Sequence, residues 1–232
     1  MQDFGGHHAR DLNGSRARLM RGGSWKKQRI IVIVPAADAI PAKVALALWN
    51  LAFPPNNGVV RILALGMEVG DAYSTAIEQI IAHPELSQWE YLLTIEHDNL
   101  PPCDGVVKLI ERLESHHELS AVSGLYFTKG EGGVPQIWGD PRDAVPNFRP
   151  QLPVAGELVE CCGLGMGFAL WRLSMFKDDR LRKPWFKTLA GREGVGTQDL
   201  YAWSDFRKYG YRCAVDCAVA VGHIDPSTDI VW

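Results

Sequence analysis

From residue 29 onward, apolar positions fall into short continuous runs, and between the runs they recur every three to four residues. The run at 29–35 (RIIVIVP) is β-branched through its centre and shows no polar alternation, which predicts a central parallel strand covered on both faces. Residues 41–53 (PAKVALALWNLAF) carry proline at the first turn and stop before PPNNG, so a helix is predicted there. A second apolar strand is predicted at 59–65, a helix at 71–82 and a third strand at 89–95 (WEYLLTI). Strands alternating with helices imply right-handed crossovers and an α/β sheet, mixed but mostly parallel.

The alternation continues with a helix at 104–115 and a strand at 121–127. Residues 129–153, rich in glycine and proline, are too long and irregular for a simple connection; such loops inside a compact domain are usually functional or disordered. The chain resumes at 157–162, passes a glycine cluster, and gives a strand at 167–173, a helix at 199–209 and a terminal strand at 213–221. In that helix Leu200, Trp203, Phe206 and Tyr209 form one apolar stripe. No internal repeat interrupts the pattern, so one domain is expected over 29–232. Residues 1–28 carry six basic residues, with Arg29 adjoining, against Asp3 and Asp11 without periodicity, and are expected to form a disordered basic arm.

Composition narrows the function classes. With 24 Lys+Arg against 27 Asp+Glu, net charge -3, 47% hydrophobic and 22% charged residues, the chain is an average globular protein rather than a repeat fibre or a polyanion-seeking surface. The arm leaves a nucleic-acid partner open, but the net charge does not support one. Cys103, Cys161, Cys162, Cys213 and Cys217 form an odd set without C-x-x-C, which argues against a disulfide framework or zinc ribbon and for a reducing cytoplasm. No run approaches the roughly 18 apolar residues of a membrane helix, so no transmembrane segment is expected.

The most informative chemistry is Glu96-His97-Asp98, which follows the third apolar run and precedes Asn99-Leu100-Pro101-Pro102. In an extended chain alternate side chains share a face, so Glu96 and Asp98 are expected to project together and His97 away from them. Open α/β sheets bind ligands beyond the carboxyl ends of their strands, where this tripeptide falls. Two hard oxygen ligands on one face suit Mg2+ or Mn2+, which in turn neutralises a diphosphate.

In this order and spacing, IEHDNLPP (95–102), SGLYF (123–127), GLGMGFALWR (163–172), KPWF (183–186) and TQDLYAWSDFRKYGYR (197–212) resemble nucleotide-sugar-dependent glycosyltransferases of the GT-A fold, of the family-2-like group found in bacteria and phages. The resemblance covers residues 30–226. It implies a Rossmann-like single domain, a divalent cation, a nucleoside-diphosphate sugar donor and transfer to a hydroxyl-bearing acceptor. It makes Asp199 the general base of an inverting displacement and His223 a third metal ligand beside Glu96 and Asp98. Pro35, Ala36, Asp38, Tyr73 and His97 fall on the donor side. Gly165, Met166 and Gly167 are expected to line the cleft, and Trp138, Trp185 and Gln198 to face the acceptor.

Two positions depart from the family pattern. Gln198 stands where relatives carry glutamate before the aspartate, and Tyr73-Ser74 stand where many carry an Arg-Asn pair near the diphosphate. Those departures keep a non-catalytic nucleotide-sugar-binding module in view. A sugar-phosphate nucleotidyltransferase is the other alternative, although the segment after the first strand, VPAAD, lacks the glycine-rich basic loop such enzymes need.

Overall fold

The computed structural model describes residues 12–232 except 22, 57, 146 and 190–195. The chain opens with α1 (Leu12–Arg21) and then alternates through β1 (Ile30–Ala36), α2 (Ala42–Trp49), β2 (Val59–Leu65), α3 (Val69–Ala82), β3 (Tyr91–Ile95), β4 (Asn99–Leu100), α4 (Gly105–Ser115) and β5 (Ala121–Leu125). It continues through β6 (Ile137–Trp138), β7 (Leu158–Cys161), β8 (Gly163–Leu164), β9 (Phe168–Arg172), α5 (Gln198–Phe206), β10 (Cys213–Ala220), β11 (Gly222–Asp225) and β12 (Ile230–Val231). Seven strands form one sheet in the order β2-β1-β3-β9-β5-β10-β7. Parallel pairing joins β1 to β2, β1 to β3 and β5 to β10, whereas β9 runs antiparallel to β3 and β5, and β7 antiparallel to β10. The expected α/β class with a mixed, mostly parallel central sheet flanked by helices is therefore present.

Position in the sheet explains each strand's composition. Every residue of β1 is buried, as a strand with neighbours on both edges and helices on both faces requires. β2, on the sheet's rim, alternates half-buried with exposed positions and leaves Leu63 and Leu65 in solvent. Successive side chains divide between two cores. Ile31 and Ile33 join Tyr73, Ala76, Ile77 and Ile80 of α3, while Ile30, Val32 and Val34 join a core that includes Val106, Leu109, Ile110 and Leu113 of α4.

The first core is completed by an aromatic cluster around Trp171 of β9. Its ring stacks on Trp203 of α5 at 5.4 Å and meets Phe186 and Phe206 edge-on, and its indole N–H donates to the Thr94 hydroxyl at 3.1 Å. Burial of such rings is the main force holding α5, and with it Gln198 and Asp199, against the sheet.

Of the arm expected at 1–28, residues 1–11 and 22 lie outside the described residues, and the others include α1. α1 packs Leu12 against the α4-side core, Arg18 pairs with Glu111 of α4, and Trp25 accepts a hydrogen bond from Asn56 through its carbonyl. The sequence signal is weak because α1 is polar and contains Gly14; docking on α4 supplies the stability that propensity lacks.

Candidate functional site

β3 ends at Ile95, and the chain turns immediately, with the Asn99 amide donating to the Glu96 carbonyl at 3.1 Å. Strand alternation therefore stops one residue before the acidic tripeptide. Instead of Glu96 and Asp98 sharing a face with His97 turned away, all three line a cleft of about 280 Å3. The opposite wall is Pro35, Ala36 and Ala37 from the carboxyl end of β1, with Met67 and Val69 from the start of α3. This is the strand-end position at which open α/β sheets bind ligands.

Three segments distant in sequence reach the tripeptide. β4 pairs antiparallel with β11, aligning His223 with Asn99, and the Ile224 amide donates to the Asp98 carbonyl at 2.8 Å. The His223 ring is fixed by a 2.7 Å contact of Nδ1 with the Phe127 carbonyl; a carbonyl only accepts, so Nδ1 carries a proton. Nε2 then lies 3.4 Å from Asp98 Oδ2. That same oxygen accepts from Lys129 Nζ at 2.5 Å. On the other side of the turn, Gln198 Nε2 donates to Glu96 Oε1 at 3.2 Å. Lys129 escaped the sequence reading because only its place in the irregular 129–153 stretch hinted at a role. Its partner is 31 residues away, and no spacing rule links them.

The two carboxyls of the tripeptide are driven apart electrostatically. Burial, then repulsion from Asp98 and Asp199, pushes Glu96 up to about 8, which Lys129 and the Gln198 hydrogen bond only partly oppose. Burial also acts to raise Asp98, but the His223 and Lys129 hydrogen bonds outweigh it and bring Asp98 down to about 2. Asp199 is raised as well, by burial, against hydrogen bonds from the Thr197 hydroxyl and the Leu200 amide. A carboxyl raised in the folded state favours folding below its unfolded value and loses that contribution as pH rises through the folded value. Glu96 is therefore expected to make stability fall as pH climbs from the ordinary carboxylate range to about 8. Asp98 acts in the opposite sense, losing its contribution as pH falls toward about 2. Urea midpoints across neutral pH check this: Glu96→Gln should flatten the decline, and an equal slope in variant and wild type would refute it.

The expected ligand set for a divalent cation does not assemble. His223 and Asp98 meet, but Glu96 turns to Gln198, and among the described residues no three His, Cys, Asp or Glu side chains come together as a metal site. Asp98, the one carboxylate facing His223, already has its charge balanced by the Lys129 ammonium. The residues present thus do not fit a resident Mg2+ or Mn2+.

The remaining expected residues divide between cleft and core. Pro35, Ala36 and His97 line the cleft, and Gln198 touches its acidic wall. Asp38 is exposed in the bend after β1. Tyr73, placed on the donor side by the resemblance, is fully buried in the α3-side core, where its ring meets Phe186 at 5.8 Å. Trp185 is likewise core, edge-on to Phe176, so it presents no surface to an acceptor. Trp138 is half-buried in β6 and donates to Gln136 at 3.3 Å. Met166 is buried in the core, and Gly165 and Gly167 are packing glycines rather than cleft lining. A Cβ at Gly165 would stand 2.1 Å from the Tyr126 hydroxyl, and one at Gly167 would stand 2.5 Å from Asn99 Oδ1. The Gly167 amide donates to that Tyr126 hydroxyl at 2.9 Å, and the Tyr126 ring is edge-on to His223 at 5.6 Å. The glycines thus let Tyr126 sit behind the site and brace the imidazole.

No protein-family model and no curated protein matches the chain. Among solved structures, the crystal structure of A197 from STIV is similar, with a TM-score of 0.62 and 13% identity over 88% of this chain and 92% of that one. At that identity the likeness concerns the fold alone. No helix among the described residues is long and apolar enough to cross a membrane.

Proposed function

We propose that the chain is a glycosyltransferase of the GT-A type that moves a sugar from a nucleoside diphosphate to an acceptor hydroxyl. One observation carries the reading: an acidic tripeptide at the carboxyl end of a central strand lines a cleft with the end of β1, and His223, Lys129 and Gln198 from three distant segments converge on it. Two of those groups, the tripeptide and Gln198, lie within the family-like sequence motifs at 95–102 and 197–212.

In this reading the nucleotide lies along Pro35, Ala36 and His97, and the diphosphate lies over the tripeptide. The bond between the anomeric carbon and the phosphate oxygen breaks, and the electron pair leaves on the diphosphate. The acceptor oxygen forms the new bond to carbon, and Asp199 takes its proton. A carboxyl raised by burial suits that step, because a base works best when its proton affinity approaches the working pH. The neutral form favoured for Glu96 by its surroundings keeps a second negative charge away from the phosphates.

The burial of Asp199, at 5% exposure, favours a second reading, a module that binds nucleotide sugar without turnover. A panel of uridine, guanosine, thymidine and cytidine diphosphate sugars, assayed for release of the nucleoside diphosphate with and without Mn2+, separates the two. Release with one donor supports the transferase. Binding with no release supports the module, and neither binding nor release removes both.

A further inference from the structure

Resting on that reading, we propose that Lys129 supplies the positive charge that receives the leaving diphosphate, in the place where a divalent cation would otherwise act. The motivating geometry is the ammonium of Lys129 seated 2.5 Å from Oδ2 of Asp98, a residue that lines the cleft. Asp98 is nearly buried, with its side chain 14% exposed, whereas Lys129 retains 32% exposure and so stays open to solvent while paired. A lysine held by one carboxylate oxygen still has N–H donors to offer an incoming oxyanion. Its position is set from two directions. The Thr128 amide pairs with the Val134 carbonyl, closing the loop that carries Lys129, and the Phe127 carbonyl of the same segment holds the His223 ring that flanks Asp98.

Charge balance points the same way. A divalent ion at Asp98 would have to evict the ammonium or sit beside it, and no third donor among the described residues compensates. A diphosphate meets the opposite situation, a cation already in place and able to swing on a four-carbon stem while Asp98 keeps it at the cleft. When the anomeric bond breaks, the developing charge on the diphosphate oxygen is met by a group that needs no recruitment from solvent. Lys129 would thereby supply the cation that many relatives carry as an arginine where this chain has Tyr73-Ser74.

The test is calorimetric titration of the full chain with uridine diphosphate and guanosine diphosphate, in EDTA and in Mn2+, for wild type, Lys129→Gln and Lys129→Arg, with folding checked by thermal melts. The expected result is wild-type binding in EDTA within about 3-fold of that in Mn2+, a loss of roughly 10-fold or more in Lys129→Gln, and most of the affinity kept in Lys129→Arg. The proposal is overturned if Mn2+ tightens wild-type binding by more than about 10-fold, or if Lys129→Gln binds as wild type does. Either of those outcomes leaves the transferase reading standing. Absence of binding by both nucleotides in both buffers would overturn the proposal together with the nucleotide-binding reading on which it rests.

Discussion

Asp199→Asn is expected to lower turnover by roughly 10²–10⁴-fold while changing nucleotide affinity by no more than about 2-fold. The substitution keeps the carboxamide oxygen that accepts from the Leu200 amide at 2.8 Å and from the Thr197 hydroxyl, so the first turn of α5 keeps its geometry. What it removes is the capacity to take a proton. Asp199 lies within electrostatic reach of Glu96, Tyr73 and Tyr126, and the neighbouring Gln198 bonds Glu96 of the cleft's acidic wall. Because burial raises Asp199, the acid limb of the wild-type rate profile should fall above the ordinary carboxylate range, with activity increasing as pH rises through it. Steady-state rates of diphosphate release, with affinity measured separately, check both points. Unchanged turnover in the variant would remove Asp199 from the chemistry.

The largest effect on stability is expected from Trp171→Ala, about 3–5 kcal/mol. Trp171 is fully buried, touches Phe176, Phe186, Trp203 and Phe206, and its indole N–H serves the Thr94 hydroxyl. Truncation leaves a cavity between β9 and α5 that the surrounding rings cannot close without leaving their own contacts. Since Trp203 is the ring stacked directly upon it, the variant should also loosen Gln198 from Glu96 and reduce nucleotide affinity. Trp171→Phe, which keeps an aromatic ring in the site, should lose less. Chemical denaturation of the three proteins decides the matter; a loss below about 1 kcal/mol for the alanine variant would mean that the cluster does not hold α5 in place.

The major elements are legible in the sequence because their signals are local. The apolar run of β1 gives its strand to within a residue, and 59–65 and 71–82 match β2 and α3 closely. The short strands β4, β11 and β12 were not legible. Two or four residues carry no period, and these segments are strands only because they pair with one another. The same distinction runs through the site. Glu96, Asp98, Asp199 and His223 stand out as chemistry-bearing residues at element ends, whereas the burial of Tyr73 and Trp185 is not legible, because it depends on which helix faces which part of the sheet. The strand rule does not extend to the tripeptide either, because Asp98 lies three residues past the end of β3.

By itself, the sequence determined the α/β class, the alternation of strands and helices, and the placement of an acidic cluster beyond a central strand; each follows from periodicity and from residues adjacent in the chain. Only the tertiary structure decided that Asp98 is shared between His223 and Lys129, that Glu96 turns to Gln198, and that the three expected metal ligands do not converge. The physical reason is range. Periodicity reports how a segment meets its own neighbours, but an ion pair across 31 residues or a hydrogen bond across 102 depends on strand order and turn geometry, which no local pattern encodes.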